Sequence, residues 1–196
     1  MAITLNHISK TYHGKKVLDD INLEFSENKF TCIMGPSGDG KTTLLHILMG
    51  LVKPDAGTID GVRGKQIATV FQEDRLCEEF DAITNIEMVL GNQKSSVDIP
   101  KEFKKVELMD YQNKPVAQLS GGMKRRVAIL RACLKEADIY IMDEPLKGFD
   151  EELKIKVISY IKEKLKGKTV IIVTHERTEV EILEAELINL NQGKIR

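Results

Sequence analysis

The sequence has 196 residues and a formal net charge of -1. That length suits one α/β core with a small appended lobe, and the balanced charge excludes a general binder of nucleic acid or anionic membrane. Cys32, Cys77 and Cys133 are odd in number, widely spaced and without a C-x-x-C pair. They read as reduced thiols, which excludes a disulfide frame or zinc site. Met1 to His7 show no basic segment leading into an apolar one, so no signal peptide is expected. No stretch approaches the roughly 20 apolar residues of a membrane span, so any membrane role is expected to come from docking onto another chain.

Residues 2–27 alternate around the turn His13-Gly14-Lys15-Lys16 and read as an antiparallel hairpin layer, which Gly57-Thr58-Ile59-Asp60-Gly61 is expected to join. Four short apolar runs read as strands covered on both faces: Phe30 to Met34, Ile67 to Phe71, Ile139 to Met142 and Val170 to Val173. Residues 41–50 read as a helix with a glycine stop. Residues 74–135 are poor in strand signals and rich in helix formers, so a helical lobe is expected there. Residues 151–165 carry Leu153, Ile155, Val157, Ile158 and Ile161 as the apolar stripe of a helix. Ile182 to Leu190 supplies a last helix and strand, and Asn191-Gln192-Gly193 a turn. No internal repeat or long linker interrupts the chain.

Gly35-Pro36-Ser37-Gly38-Asp39-Gly40-Lys41-Thr42, followed by Thr43, is a P-loop pattern, and it stands between a strand and a helix as that motif requires. The glycines let the backbone turn tightly and aim its N–H groups at phosphate oxygens. Lys41 is placed to reach the β- and γ-phosphates of a nucleoside triphosphate, and the Thr42 hydroxyl to ligate Mg²⁺. Asp143-Glu144 closes the third apolar run, which sets two carboxylates at the carboxyl edge of a sheet. Asp143 then holds Mg²⁺ through water, and Glu144 is free to polarise the attacking water, a role worth ~10²–10⁴ in rate. Ser120-Gly121-Gly122 opens a further helix with a strong N-cap and exposed N–H groups. That is a second anion site in a chain that already has one.

The order of P-loop, glutamine after a strand, Leu119-Ser120-Gly121-Gly122, Asp143-Glu144 and histidine after a strand resembles the ATP-binding cassette (ABC) ATPases. The resemblance spans essentially the whole chain. It implies an α/β fold: a P-loop NTPase core with a mainly parallel sheet, an N-terminal antiparallel β layer and a helical signature lobe. One domain is expected over 1–196, with the core at about 1–73 and 136–196 and the lobe at about 74–135. It further implies that Tyr12 stacks on adenine, that Gln72 contacts Mg²⁺ and the attacking water, and that His175 bonds the γ-phosphate. Ser120, Gly121 and Gly122 would complete the site of the opposite subunit, in a head-to-tail homodimer (or a pair with a paralogous subunit) that sandwiches two ATP.

The activity so implied is ATP hydrolysis that powers solute transport through an integral-membrane permease, with import the favoured direction. A solute-binding protein could act through that permease, and no nucleic acid is involved. The chain would sit in the cytoplasm, on the inner face of the cell membrane. Val70 to Leu76 with Leu-Ser-Gly-Gly-Met looks most like the nitrate, sulfonate and taurine importers, and no room is seen for a C-terminal regulatory domain.

Three departures stand out: Met123 in the place of a frequent glutamine, Asp39 inside the P-loop, where it is expected to face solvent, and Leu146-Lys147-Gly148-Phe149-Asp150 as an atypical D-loop. The acidic run Cys77 to Asp81 is either a solvated loop or a surface for a basic partner helix. A non-transport ABC ATPase, a nucleotide-gated interaction module and a P-loop kinase remain the rival readings.

Overall fold

The computed structural model describes residues 2–91, 97–111 and 113–195. Residues 92–96 and 112 of the expected lobe, and both terminal residues, lie outside the described residues. Strands β1 (Ile3–Tyr12) and β2 (Lys15–Phe25) form an antiparallel pair. His13 (φ 48°) and Gly14 (φ 77°) join them, the double positive φ of a two-residue hairpin turn. Strand β4 (Ala56–Asp60) pairs antiparallel with the other side of β1, as expected, and completes a three-stranded layer.

The second sheet has the order β5-β6-β7-β3-β8-β9. Its strands are β3 (Phe30–Met34), β5 (Ile67–Val70), β6 (Ile139–Asp143), β7 (Thr169–Val173), β8 (Glu186–Asn191) and β9 (Lys194–Ile195). All run parallel to their neighbours except β9, which folds back on β8. Alternate residues of each central strand enter different cores. Ile139, Ile141, Ile171 and Val173 pack with β1, β2 and helix α1 (Lys41–Leu48). Tyr140, Met142, Val170 and Ile172 pack with the helices on the far face. Burial on both faces is why these strands read as unbroken apolar runs. The α/β class with a mainly parallel sheet and an antiparallel layer stands as expected.

On the far face lie α2 (Ala82–Leu90), α3 (Ile99–Lys105), α4 (Gly121–Leu134), α5 (Glu151–Lys164) and α6 (Arg177–Leu183). The Asp81, Asp98, Ser120 and Asp150 side chains each accept a backbone N–H as N-caps of α2 to α5, a bond worth about 1 kcal/mol each. One apolar cluster joins Ile86, Phe103 and Leu130 of these helices to Val157 and Ile161 of α5.

Two sequence expectations fail locally. Ile155 is 49% exposed, and Lys154 instead lies buried on that helix, its ammonium paired with Glu151 at 3.1 Å and with Glu176. Hydrophobic periodicity could not show that an ion pair fills a core-facing position. The last helix starts at Arg177 and ends at Leu183, earlier than expected, because Glu186 onward is drawn into β8 beside β3. Among the described residues no helix is long and apolar enough to cross a membrane.

Candidate functional site

Strands β6, β7 and β3 lie side by side and parallel, so the segments that follow them leave the sheet at one edge. β3 delivers the glycine loop, β6 ends on Asp143, and β7 ends just before Thr174 and His175. Gly40 is the N-cap of α1 with φ 95°. A Cβ there would stand 2.8 Å from both the Val17 carbonyl oxygen and Leu18 Cδ2, so only glycine lets the loop lie against β2. No side chain caps α1, which leaves its first N–H groups for an anion.

Lys41 is buried, and its Nζ donates to the Gly35 and Pro36 carbonyl oxygens at 2.8 Å each. Burial pulls its pKa below the usual lysine value, against the opposing fields of Glu144, Asp39 and Asp143. Thr42 Oγ1 donates to Asp143 Oδ2 at 2.7 Å. Asp143 is only 5% exposed. Burial raises its carboxyl pKa, although the Thr42 hydrogen bond works the other way.

Glu144 turns into the left-handed region at φ 47°, and its N–H donates to the Val173 carbonyl at 3.0 Å. Few non-glycine residues stand there, and those that do cluster at functional sites. Glu144 Oε1 lies 2.8 Å from His175 Nε2, and Oε2 lies 2.8 Å from Lys147 Nζ. Burial disfavours the charged carboxylate, but Lys147 and His175 outweigh it and hold the pKa below the usual range. The carboxylate is therefore ionised at neutral pH and able to accept a proton.

A hollow of about 230 Å³ opens between these groups, lined by Val17, Ser37, Gly38, Gly40, Lys41, Thr42, Thr43, Gln72, Glu144 and His175. Gly35 and Pro36 border it through the carbonyls that hold Lys41, and Asp143 through Thr42. Tyr12, Ser120, Gly121 and Gly122, named from sequence, stand elsewhere. Tyr12 ends β1 at the surface, with Lys10 Nζ 5.4 Å from its ring centroid. Ser120, Gly121 and Gly122 start α4 and do not line the hollow. Ser120 Oγ accepts from the Met123 N–H at 3.3 Å, and a Cβ on Gly121 would meet no atom within 4 Å.

Asp39 neither lines the hollow nor faces only solvent: its Oδ2 accepts the Gln192 N–H at 2.8 Å. That bond pins the P-loop to the β8–β9 turn and gives the acidic residue a partner other than phosphate. In the D-loop, Asp150 caps α5 by accepting from Leu153 N–H at 2.9 Å. Sequence reasoning missed the Lys147 contact to Glu144, which the i, i+3 spacing could have suggested. It also missed the contacts of Arg125, for which no sequence signal exists.

Among the described residues no three His, Cys, Asp or Glu side chains gather as a metal cage. Mg²⁺ that takes most of its ligands from phosphate and water needs little more from the protein than a hydroxyl and a nearby carboxylate. Thr42 and Asp143 form such a donor set, so the residues fit Mg²⁺ arriving with a nucleotide.

The chain resembles known proteins over nearly its full length. It is 36% identical to the spermidine/putrescine import ATP-binding protein PotA of Spiroplasma citri, over 99% of this chain and 60% of that protein. The protein of the same name from Mesoplasma florum is 32% identical with the same coverage. The chain thus spans about 60% of the length of these curated relatives. Their name denotes a different importer type from the nitrate, sulfonate and taurine group that the sequence pattern suggested. Among solved structures, the dimeric MJ0796 cassette of a bacterial ABC transporter superposes with a TM-score of 0.88 at 31% identity, covering 99% of this chain and 96% of that one. A post-hydrolysis dimer of the same cassette bound to ADP and Pi gives 0.87 at 30% identity, with the same coverage. The family model described as ABC transporter matches residues 18–147, a span that holds the glycine loop, Gln72, the start of α4 and the Asp143-Glu144 pair, and the chain belongs to that family.

Proposed function

We propose that this chain is the ATP-hydrolysing subunit of an ABC transporter and drives solute movement through a separate membrane permease. One observation carries the reading: an ammonium, a hydroxyl, two carboxylates and an imidazole, from Lys41, Thr42, Asp143, Glu144 and His175, converge at one edge of the parallel sheet. The glycine-loop N–H groups and Lys41 grip the β- and γ-phosphates of ATP, which replace the Gly35 and Pro36 carbonyls as partners of the ammonium. Thr42, Asp143 and Gln72 would hold Mg²⁺, which would supply charge neutralisation on the phosphates. Glu144 accepts a proton from the water whose oxygen attacks the γ-phosphorus as the bond to ADP breaks. His175 hydrogen-bonds the γ-phosphate and holds Glu144 in place, and Tyr12 stacks on adenine.

Ser120, Gly121 and Gly122 act on a nucleotide held by a second copy or a paralogous subunit. Their position outside the hollow of their own chain supports this, as does the dimeric state named for the solved relatives. The chain works as one domain, with about 74–135 as the lobe that meets the permease and the rest as the nucleotide core. Docking on that permease places it at the inner membrane face. The names of these relatives favour polyamine import over the nitrate, sulfonate and taurine branch. Cargo choice would rest with the permease and any solute-binding protein.

The deciding test is Glu144→Gln. Nucleotide binding persists, phosphate release stops, and an ATP-bound dimer accumulates on size exclusion. Unaltered steady-state hydrolysis in that variant would refute the reading.

A further inference from the structure

Arg125 lies near the start of α4 and is 6% exposed. Its guanidinium reaches out of the helix toward the catalytic edge. Nη1 donates to the Phe71 carbonyl and stands 3.2 Å from Asp74 Oδ1. Nη2 donates to the Gln72 carbonyl at 2.9 Å and to the Glu144 carbonyl at 3.3 Å. One planar group thus touches the backbone of the glutamine and the backbone of the general base. Arg126 beside it does something else: it braces Gly122, Val106 and Glu107 within the helical layer. Arg131, further along α4, takes the Arg75 and Asp74 carbonyls at 2.9 and 3.2 Å. Two arginines of one helix therefore hold four carbonyls of the segment that follows β5.

We propose that Arg125 is a positioning residue that fixes Gln72 and Glu144 relative to each other and carries any displacement of α4 to both. The inference rests on the function proposed above. Its physical basis is the fork of the guanidinium: two nitrogens with several N–H groups in one rigid plane can hold two strand-end carbonyls in register. A lysine ammonium in the same place keeps the charge but fixes no plane. The arrangement also joins the open start of α4 to the catalytic edge. Ser120 to Gly122 begin the same 14-residue helix that carries Arg125. Closure on a second subunit at that tip then shifts a rod that already grips both groups facing the attacking water.

The test uses the full chain with Arg125→Gln and Arg125→Lys, with Glu144→Gln in parallel. Phosphate release is measured against ATP concentration, and the urea midpoint is measured for each variant. Arg125→Gln is expected to lower kcat about 10- to 100-fold, the loss typical of misplaced catalytic groups. KM for ATP stays within about twofold, because ground-state phosphate contacts are untouched. Added guanidinium restores part of the lost turnover, and Arg125→Lys shows a smaller kcat loss with an unchanged urea midpoint.

Full turnover in both Arg125 variants, with turnover lost in Glu144→Gln, overturns the positioning role alone. So does a turnover loss that only follows unfolding in both variants. Full turnover in Glu144→Gln overturns the function beneath it, and the inference with it.

Discussion

The carboxyl edge of the parallel sheet and the start of α4 both present backbone N–H groups at a helix N-terminus, yet they are built differently. At the sheet edge the polar groups already hold one another: Thr42 to Asp143, Lys41 to two loop carbonyls, Glu144 to His175 and Lys147. At the start of α4 only Ser120 satisfies a local N–H, and the space beside Gly121 is open. The first half can receive a triphosphate by exchanging partners. The second gains a partner only when something approaches from outside. Under the proposed function, an ATP site divided in this way would bind on one chain and fire on two, which would tie turnover to assembly.

The largest effect expected of any single change lies in the closed half. Glu144→Gln should reduce turnover by ~10²–10⁴, the usual worth of a general base, while binding of a fluorescent ATP analogue persists. In the open half, Gly121→Asp should leave the urea midpoint intact, since nothing in the chain occupies that space and acidic residues suit a helix start. Turnover should still fall about 100-fold, because a carboxylate set against another subunit's γ-phosphate costs several kcal/mol. A full-activity Gly121→Asp protein would erase the contrast between the halves.

Gly40→Ala probes the closed half structurally. Its φ of 95° and the 2.8 Å approach to Val17 and Leu18 predict a loss of about 2–3 kcal/mol in urea unfolding. Ser120→Ala removes one weak cap bond and should cost about 1 kcal/mol by the same measurement.

The smallest expected effect concerns Glu179, buried behind His175, where it accepts the Thr174 hydroxyl at 2.6 Å. Burial raises its pKa above the ordinary 4.5, partly offset by that hydrogen bond. The folded chain then keeps this proton to higher pH than the unfolded chain does. Stability from this group is full below 4.5 and declines as pH rises through the folded value. Glu179→Gln should flatten that slope in urea midpoints taken across the acid range. An unchanged slope would show that the buried carboxylate is fully compensated.

Much of the sheet edge was legible because its signals are local. Gly35 to Thr42 specify a loop by glycine spacing, and an apolar run ending in Asp143-Glu144 specifies a strand with its carboxylates at the rim. The contacts that reach across the fold were not legible. Lys154 in place of an apolar residue, Asp39 bound to the Gln192 backbone, and Arg125 spanning residues 71 to 144 depend on elements far apart in the chain. No periodicity encodes them, because each is a single polar pair created by packing.

The residue types alone determined the α/β class, the strand order along the chain and the chemistry available to a nucleotide. Those properties follow from alternation, turn residues and functional groups that act within a few positions of each other. Tertiary structure decided which side chains share a hollow and which are left facing outward. The parallel register of β3, β6 and β7 sets Thr42, Asp143 and Glu144 within bonding distance of their partners, while the path of α4 carries Ser120 to Gly122 away from them. Only packing of distant strands and helices fixes such separations, since rotating a helix or shifting a strand by one residue would change every one of them without altering the sequence.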